Sequence, residues 1–286
     1  MLTHVKNVIA SAQRKNIVVG AFNTYNLEST LAIVRAVAAS QSPAIIQISE
    51  ATIDYAGLTT ILEMIKTIDA RENKKVPLAI HLDHGKTFEI VARCLQAGLT
   101  SVHLDGSALD YRSNLALTKR AAVLGHRYGA WVQGELGALF GKEGLTSVEV
   151  PKNPDLYMTD PALAAQFVKK TGINTLAVSV GTMHGNFSGR EKIDFNRLAK
   201  IRKSVKIPLV LHGGSGVNPA QIKKAISGGI RNINIDTDLR IAFTKTLAAT
   251  LKKKITFYDP RKILCPALLA VEKEVRAKID LFRNKA

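Results

Sequence analysis

Apolar and β-branched residues recur along the chain in short runs, each followed by a stretch whose apolar positions repeat with the period of a helix. The runs are 17–23, 44–49, 78–84, 101–106, 131–137, 175–180, 209–213 and 232–237. Near-continuous apolar runs of this length suit strands buried on both faces, and the amphipathic stretches between them, such as 31–40 and 88–97, suit crossover helices. About eight such units predict an α/β chain closed into a (β/α)8 TIM barrel, with a doubly wound open sheet as the alternative.

The polar residues within these runs gather at their C-terminal ends: Asn23, Ser49, Asp83 with His84, Asp105, Glu135, His212, and Asn234 with Asp236. Each would cost several kcal/mol, in order of magnitude, if buried without a partner. A random set of strands would scatter them over both ends. The C-terminal rim of a barrel is where catalytic groups collect, so this clustering predicts an enzyme.

Two connections are longer than simple turns. The stretch 138–160 contains Gly141, Gly144, Pro151 and Pro154 and reads as a lid, and 181–192 holds His184 among Gly181, Gly185 and Gly189. From Tyr258 onward a turn at Asp259 and Pro260 leads into an apolar-periodic helix. With 286 residues, 46% of them hydrophobic, one barrel spanning 1–286 with a C-terminal helical extension needs no second domain. The N-terminal stretch has no continuous apolar core and no small-residue cleavage site, so membrane insertion and secretion are not expected and the cytoplasm is. Cys94 and Cys265 lie far apart, outside any metal-type spacing, which fits a reducing compartment without disulfides.

The formal net charge of +17 raises the question of nucleic acid. Lys66, Lys119, Lys169, Lys223 and Lys252 are instead scattered through helical stretches with few aromatics between them. That distribution reads as a solvated basic surface that also attracts phosphorylated substrates.

Three histidines fall at or just after strand ends: His84 in HLDHG, His184 in GTMHGN and His212 in LHGGSG. Three neutral imidazoles converging at a barrel rim leave a zinc ion with positions open for substrate oxygens. His81 and His103 sit deeper in their strands and are expected to hydrogen-bond inside the barrel, so they are set aside as ligands. Asp83 is placed to act as an acid or base on a metal-bound substrate, or to orient a ligand histidine. Asp105 and Glu135, on neighbouring tips, form either a second cation position or the shell around the first.

After the seventh run comes Gly213-Gly214-Ser215-Gly216, then Asn218-Pro219, where Asn caps and Pro opens a helix. After the eighth comes Asn234-Ile235-Asp236-Thr237. Loops seven and eight are where barrels bind phosphate, on backbone N–H groups exposed by glycine.

Taken in order, HLDH, ELG followed by Lys142-Glu143, GTMHG, LHGGSG, NIDT and DPRK resemble the motifs of the class II fructose-bisphosphate and tagatose-bisphosphate aldolases over nearly the whole chain. The resemblance implies zinc at His84, His184 and His212, Asp83 as catalytic acid/base, and Asp105 and Glu135 at an alternative or inner metal position. It implies that Glu143 handles the carbon-bound proton. Gly185, Gly213, Ser215, Asn234, Asp236 and Thr237 would hold the dihydroxyacetone phosphate portion, helped by a monovalent cation such as Na+ or K+, with Asn23 and Ser49 as further contacts. Arg261 would grip the distal phosphate from a neighbouring subunit, implying a homodimer or homotetramer. Phe187, Ala108 and Gly144 depart from the family's usual residues.

The reaction so implied is reversible cleavage of fructose 1,6-bisphosphate to dihydroxyacetone phosphate and glyceraldehyde 3-phosphate. Tagatose 1,6-bisphosphate is the alternative substrate, since no residue decides the C4 configuration. A Schiff-base mechanism is disfavoured because no lysine lies at the predicted strand tips. Two other readings are another metal-dependent phosphosugar lyase or hydrolase on the same barrel, and a silent phosphosugar- or nucleic-acid-binding barrel.

Overall fold

In the computed structural model the chain is described over residues 1–138, 154–183, 185, 192–253 and 258–283. Helix α1 (Val5–Arg14) precedes β1 (Val19–Asn23), α2 (Leu27–Ser40) and β2 (Ala44–Ser49). Then follow α3 (Glu50–Ala56), α4 (Leu58–Glu72), β3 (Leu78–Gly85), α5 (Phe88–Gln96), β4 (Ser101–Leu104), α6 (Tyr111–Arg127) and β5 (Trp131–Leu136). A 3-10 turn (Pro154–Tyr157), α7 (Pro161–Thr171), β6 (Thr175–Val178), α8 (Phe195–Ser204), β7 (Leu209–Leu211), α9 (Pro219–Ser227), β8 (Ile230–Ile235), α10 (Thr237–Leu251) and α11 (Pro260–Phe282) complete the order. The strands are parallel and close in sequence order, β1 pairing with both β2 and β8, which excludes the doubly wound alternative.

Alternation along the strands places the core. One set of strand residues, including Phe22, Ile46, Ile48, Leu82, Val102, Leu104 and Val132, packs outward against the ring of helices in the main buried cluster. The other set points to the barrel axis and changes character with height. At the N-terminal end Val19, Ala21, Ile45 and Ala79 join Val5, Val8, Ile9 and Ala12 of α1, which plugs the barrel floor. Above them stand Gln47 paired in register with His81, and His103 with Gln133. At the rim Ser49 pairs with Asp83.

Helix starts follow local chemistry. Asn218 accepts from the Ala220 N–H and Pro219 occupies the first turn of α9, as the sequence predicts. Asn26 and Ser29 form a reciprocal capping box on α2. Several strands are shorter than their apolar runs. The eighth run continues to Thr237, but β8 ends at Ile235, because Asp236 takes the N-cap position of α10 and Thr237 begins that helix. Ile17 lies outside β1 and instead bridges Arg283 just past α11.

Candidate active site

At the end of β3 the register with β4 shifts between Leu82 and Gly85, and His84 within that irregularity has a positive φ of 48°. Such backbone is uncommon for a residue with a Cβ and persists where the surroundings enforce it. The distortion takes His84 out of simple alternation, so Asp83 and His84, adjacent in sequence, both meet the groups at the centre of the rim.

The His84 ring is the hub. Its Nδ1 lies 2.7 Å from Asp105 Oδ2 and 3.8 Å from Glu135 Oε2, and its Nε2 lies 2.9 Å from His212 Nδ1. Glu135 Oε2 is also 3.7 Å from His212 Nδ1 and 3.5 Å from His103 Nε2. Asp105 is anchored by the Ser107 backbone N–H at 3.0 Å and the Ser107 hydroxyl at 2.6 Å. Two overlapping sets of potential metal donors result, Asp83, His84, His103 and His212, and His84, His103, Asp105 and Glu135.

His103, expected to hydrogen-bond inside the barrel, does so, and the structure also brings it beside the cluster. It accepts the His84 backbone N–H on Nδ1 at 3.3 Å, so the neutral ring carries its proton on Nε2, toward Glu135. His81 does stay in the interior, with Nδ1 2.7 Å from Ser101 Oγ.

Asp83 is 1% exposed and accepts three amide donors: Asn23 at 2.8 Å, Asn234 at 3.2 Å and Gln47 at 3.3 Å. Gln47 is a site residue the sequence reading missed. Stepping two places back along β2 from Ser49 lands on the same inward face, and the same step from Glu135 finds Gln133, another missed residue, whose amide meets His212 Nε2 at 2.9 Å.

The electrostatics favour positive charge at the centre. Burial pushes the Asp83 carboxyl above its usual range, against the pull of His84 and the Asn23 hydrogen bond. Burial, then the Asp105 charge, carries Glu135 well above the usual carboxylate value. Burial opposes protonation of His84, yet Asp83, the Asp105 hydrogen bond and Glu135 outweigh it and raise the imidazole well above its ordinary value. Asp105 is held far below the usual range, burial being overcome by the His84 hydrogen bond and the His84 and His103 charges. Glu135 Oε2, buried, has no hydrogen-bond partner among the described residues. Imidazole and carboxylate donors around an oxygen in that condition fit a zinc-type cation.

Beside the cluster lies a cavity walled by His84, Met183, Gly185, Gly213, Ser215, Asn234, Asp236 and Thr237. Among the described residues, no lysine walls it. Gly213 has a φ of 63°, and a Cβ there would come within 2.4 Å of the Met183 carbonyl oxygen, so only glycine lets this turn lie against loop six. Ser215 Oγ accepts the Asp238 N–H at 3.2 Å. Asp236 is engaged by Arg240 at 2.8 Å and by the Tyr25 hydroxyl.

The remaining candidates are less central. Ser49 Oγ caps α3 by accepting from the Thr52 N–H at 3.4 Å. Arg261 is exposed in the first turn of α11 and pairs with Asp259 at 3.0 Å. His184 and Glu143 lie outside the described residues, as does most of the predicted lid.

A closed parallel barrel whose rim joins an imidazole–carboxylate cluster to a glycine-lined pocket defines a class: metal-dependent enzymes acting on phosphorylated small molecules. The sequence pattern described as Fructose-bisphosphate aldolase class-II matches residues 3–286, and the chain belongs to that family. The fructose-bisphosphate aldolase of Thermus caldophilus is 39% identical, with 99% of this chain and 98% of that protein covered. That of Geobacillus stearothermophilus is 39% identical over 98% and 96%. The crystal structure of the YdjI aldolase from Escherichia coli K12 superposes with a TM-score of 0.84 at 30% identity, covering 99% and 97% of the two chains. The chain is thus a class II aldolase by family, a metal-dependent lyase group. No helix among the described residues is long and apolar enough to cross a membrane.

Proposed function

We propose that this chain reversibly cleaves fructose 1,6-bisphosphate to dihydroxyacetone phosphate and glyceraldehyde 3-phosphate, as a cytoplasmic homodimer or homotetramer built from one barrel unit with α11 as its extension. His84, His184 and His212 hold zinc, and Asp105 and Glu135 provide a neighbouring cation position. When bound, zinc supplies Lewis-acid stabilisation of the charge that develops at the substrate's C2 carbonyl oxygen.

Asp83 takes the proton of the C4 hydroxyl as the C3–C4 bond breaks. Its three amide donors fix the carboxylate in place, and burial makes it a stronger base than a solvated one. Glu143 returns a proton to C3, completing dihydroxyacetone phosphate. The backbone and side chains of Gly185, Gly213, Ser215, Asn234, Asp236 and Thr237 bind that phosphate portion together with a Na+ or K+ ion, while Asn23 and Ser49 contact the rest of the sugar. Arg261 reaches the distal phosphate of a neighbouring subunit's substrate.

The observation that carries this reading is the junction of the His84–His212 pair with the glycine-lined cavity, His84 belonging to both. The test is triose-phosphate formation from purified fructose and tagatose bisphosphates, before and after chelation and with zinc restored. Zinc-restored cleavage of fructose bisphosphate is expected. Faster cleavage of tagatose bisphosphate would replace the substrate, and no cleavage of either by folded, metallated protein would overturn the aldolase reading for this chain.

A further inference from the structure

Gln133 stands on the axial face of β5, one inward step below Glu135, and is 3% exposed. Its side-chain Nε2 lies 2.9 Å from Nε2 of His212, a ring that is fully buried, and the amide turned through 180° presents Oε1 to that nitrogen instead. The opposite ring nitrogen, Nδ1, faces the cluster, 2.9 Å from His84 Nε2 and 3.7 Å from Glu135 Oε2. Gln133 thus touches the one ring nitrogen of His212 that the cluster does not use.

An imidazole that gives its Nδ1 lone pair to a metal carries its proton on Nε2 and requires an acceptor there. An amide supplies one when its oxygen faces the ring, and a donor when its NH2 group does. A carboxylate in the same place offers acceptors only, and its charge makes the ring a stronger ligand. Thr175, whose hydroxyl lies 3.4 Å from Gln133 Oε1, donates to or accepts from the amide in either orientation. We propose that Gln133 is the positioning residue for His212: it fixes the ring's orientation and the Nε2–H tautomer, and as a neutral amide it holds zinc affinity below the level a carboxylate would set. The proposal rests on His212 being a metal ligand.

Three proteins test it: the unaltered chain, Gln133→Met and Gln133→Glu. Zinc affinity is read by competition with a chromophoric chelator, and the His212 tautomer from ring nitrogen-15 shifts of the metal-free, histidine-labelled protein. Gln133→Met keeps the bulk but removes both hydrogen-bonding atoms, and it is expected to weaken zinc binding about 10–100-fold and to lose the single Nε2–H signature. Gln133→Glu is expected to keep that signature and bind zinc several-fold more tightly. Unchanged affinity and unchanged ring signals in Gln133→Met overturn the proposal. If Gln133→Met does not fold, Gln133→Glu decides, since affinity equal to or weaker than that of the unaltered chain overturns it. Absence of zinc binding in the unaltered chain overturns the ligand reading itself, and this proposal with it, before either variant is compared.

Discussion

Asp83 owes its character to two opposed influences, full burial that favours the neutral acid and three amide N–H donors that stabilise the anion. Removing the carboxylate in Asp83→Ala leaves the imidazole cluster in place, so zinc content should be retained while kcat for bisphosphate cleavage falls about 10²–10⁴-fold, the range for losing a general base. A variant with near-normal kcat would remove Asp83 from the proton transfer. Below it His81 shows the same physics without a catalytic task. Burial, then the charge of His84, pushes its imidazole down to about 3 from 6.5, and its Nε2 has no hydrogen-bond partner among the described residues. The unfolded chain takes up a proton below pH 6.5 that the folded chain refuses until about 3, so this stabilising contribution is complete above pH 6.5 and is lost as pH falls through that window. Its slope is up to about 1.4 kcal/mol per pH unit. Urea unfolding of metal-free protein across the window should show stability falling more steeply in the unaltered chain than in His81→Gln, and parallel curves would contradict the assignment.

At the scale of elements, the barrel is held by contacts remote from its rim. Helix α11 runs back across α2 and α10, and Phe282 near its end is 1% exposed, its carbonyl accepting the Val18 N–H at 3.2 Å. Phe282→Ala should cost about 3–5 kcal/mol of stability, read by denaturant unfolding, with zinc affinity unchanged. The loop after β7 makes the opposite demand, since Gly213→Ala puts a Cβ against the Met183 carbonyl at positive φ. A loss of about 1–3 kcal/mol is expected, together with a raised KM for the bisphosphate. A KM that stayed the same would separate this turn from substrate binding. The order of strands and helices was legible because fully buried parallel strands are apolar along their length and their polar tips stand out. Strand ends were less so: Asp236, the residue after the last of β8, already stands at the N-cap position of α10, which an apolar run does not record. Asp83, His84 and His212 were legible as tip residues. His103, Gln47 and Gln133 were not, because each lies inside an apolar run and is placed in the site only by its height in the closed barrel, a property of register between strands far apart in sequence. Counting back two positions from Asp105, Ser49 and Glu135 would have found all three.

For the whole molecule, the net charge of +17 has to be located before it can be given a consequence. Basic side chains occupy the last turns of α1 (Arg14), α4 (Arg71), α5 (Arg93), α6 (Arg127), α7 (Lys169, Lys170), α8 (Arg202, Lys203) and α9 (Lys224), where they complement the negative ends of the helix dipoles. In a (β/α)8 barrel helices run opposite to the strands, so these last turns surround the floor, and the cluster sits at the other end. A strand of five or six residues separates the two by about 17–20 Å. That distance is less than the screening length of about 30 Å at 0.01 M salt and greater than the length of about 8 Å at 0.15 M. The floor charges should therefore draw in a bisphosphate only in dilute buffer. kcat/KM is expected to fall steeply as salt rises to about 0.15 M and only gently beyond it, where the Arg261 contact remains, with kcat at saturating substrate unchanged. A set of further arginines or lysines on the phosphates would instead give a decline that stays as steep at higher salt, because contact pairs at a few ångströms are screened last. Stopped-flow or steady-state kcat/KM across that salt range separates the two, and an undiminished slope would move the functional share of the charge from the barrel floor to the substrate's own contacts.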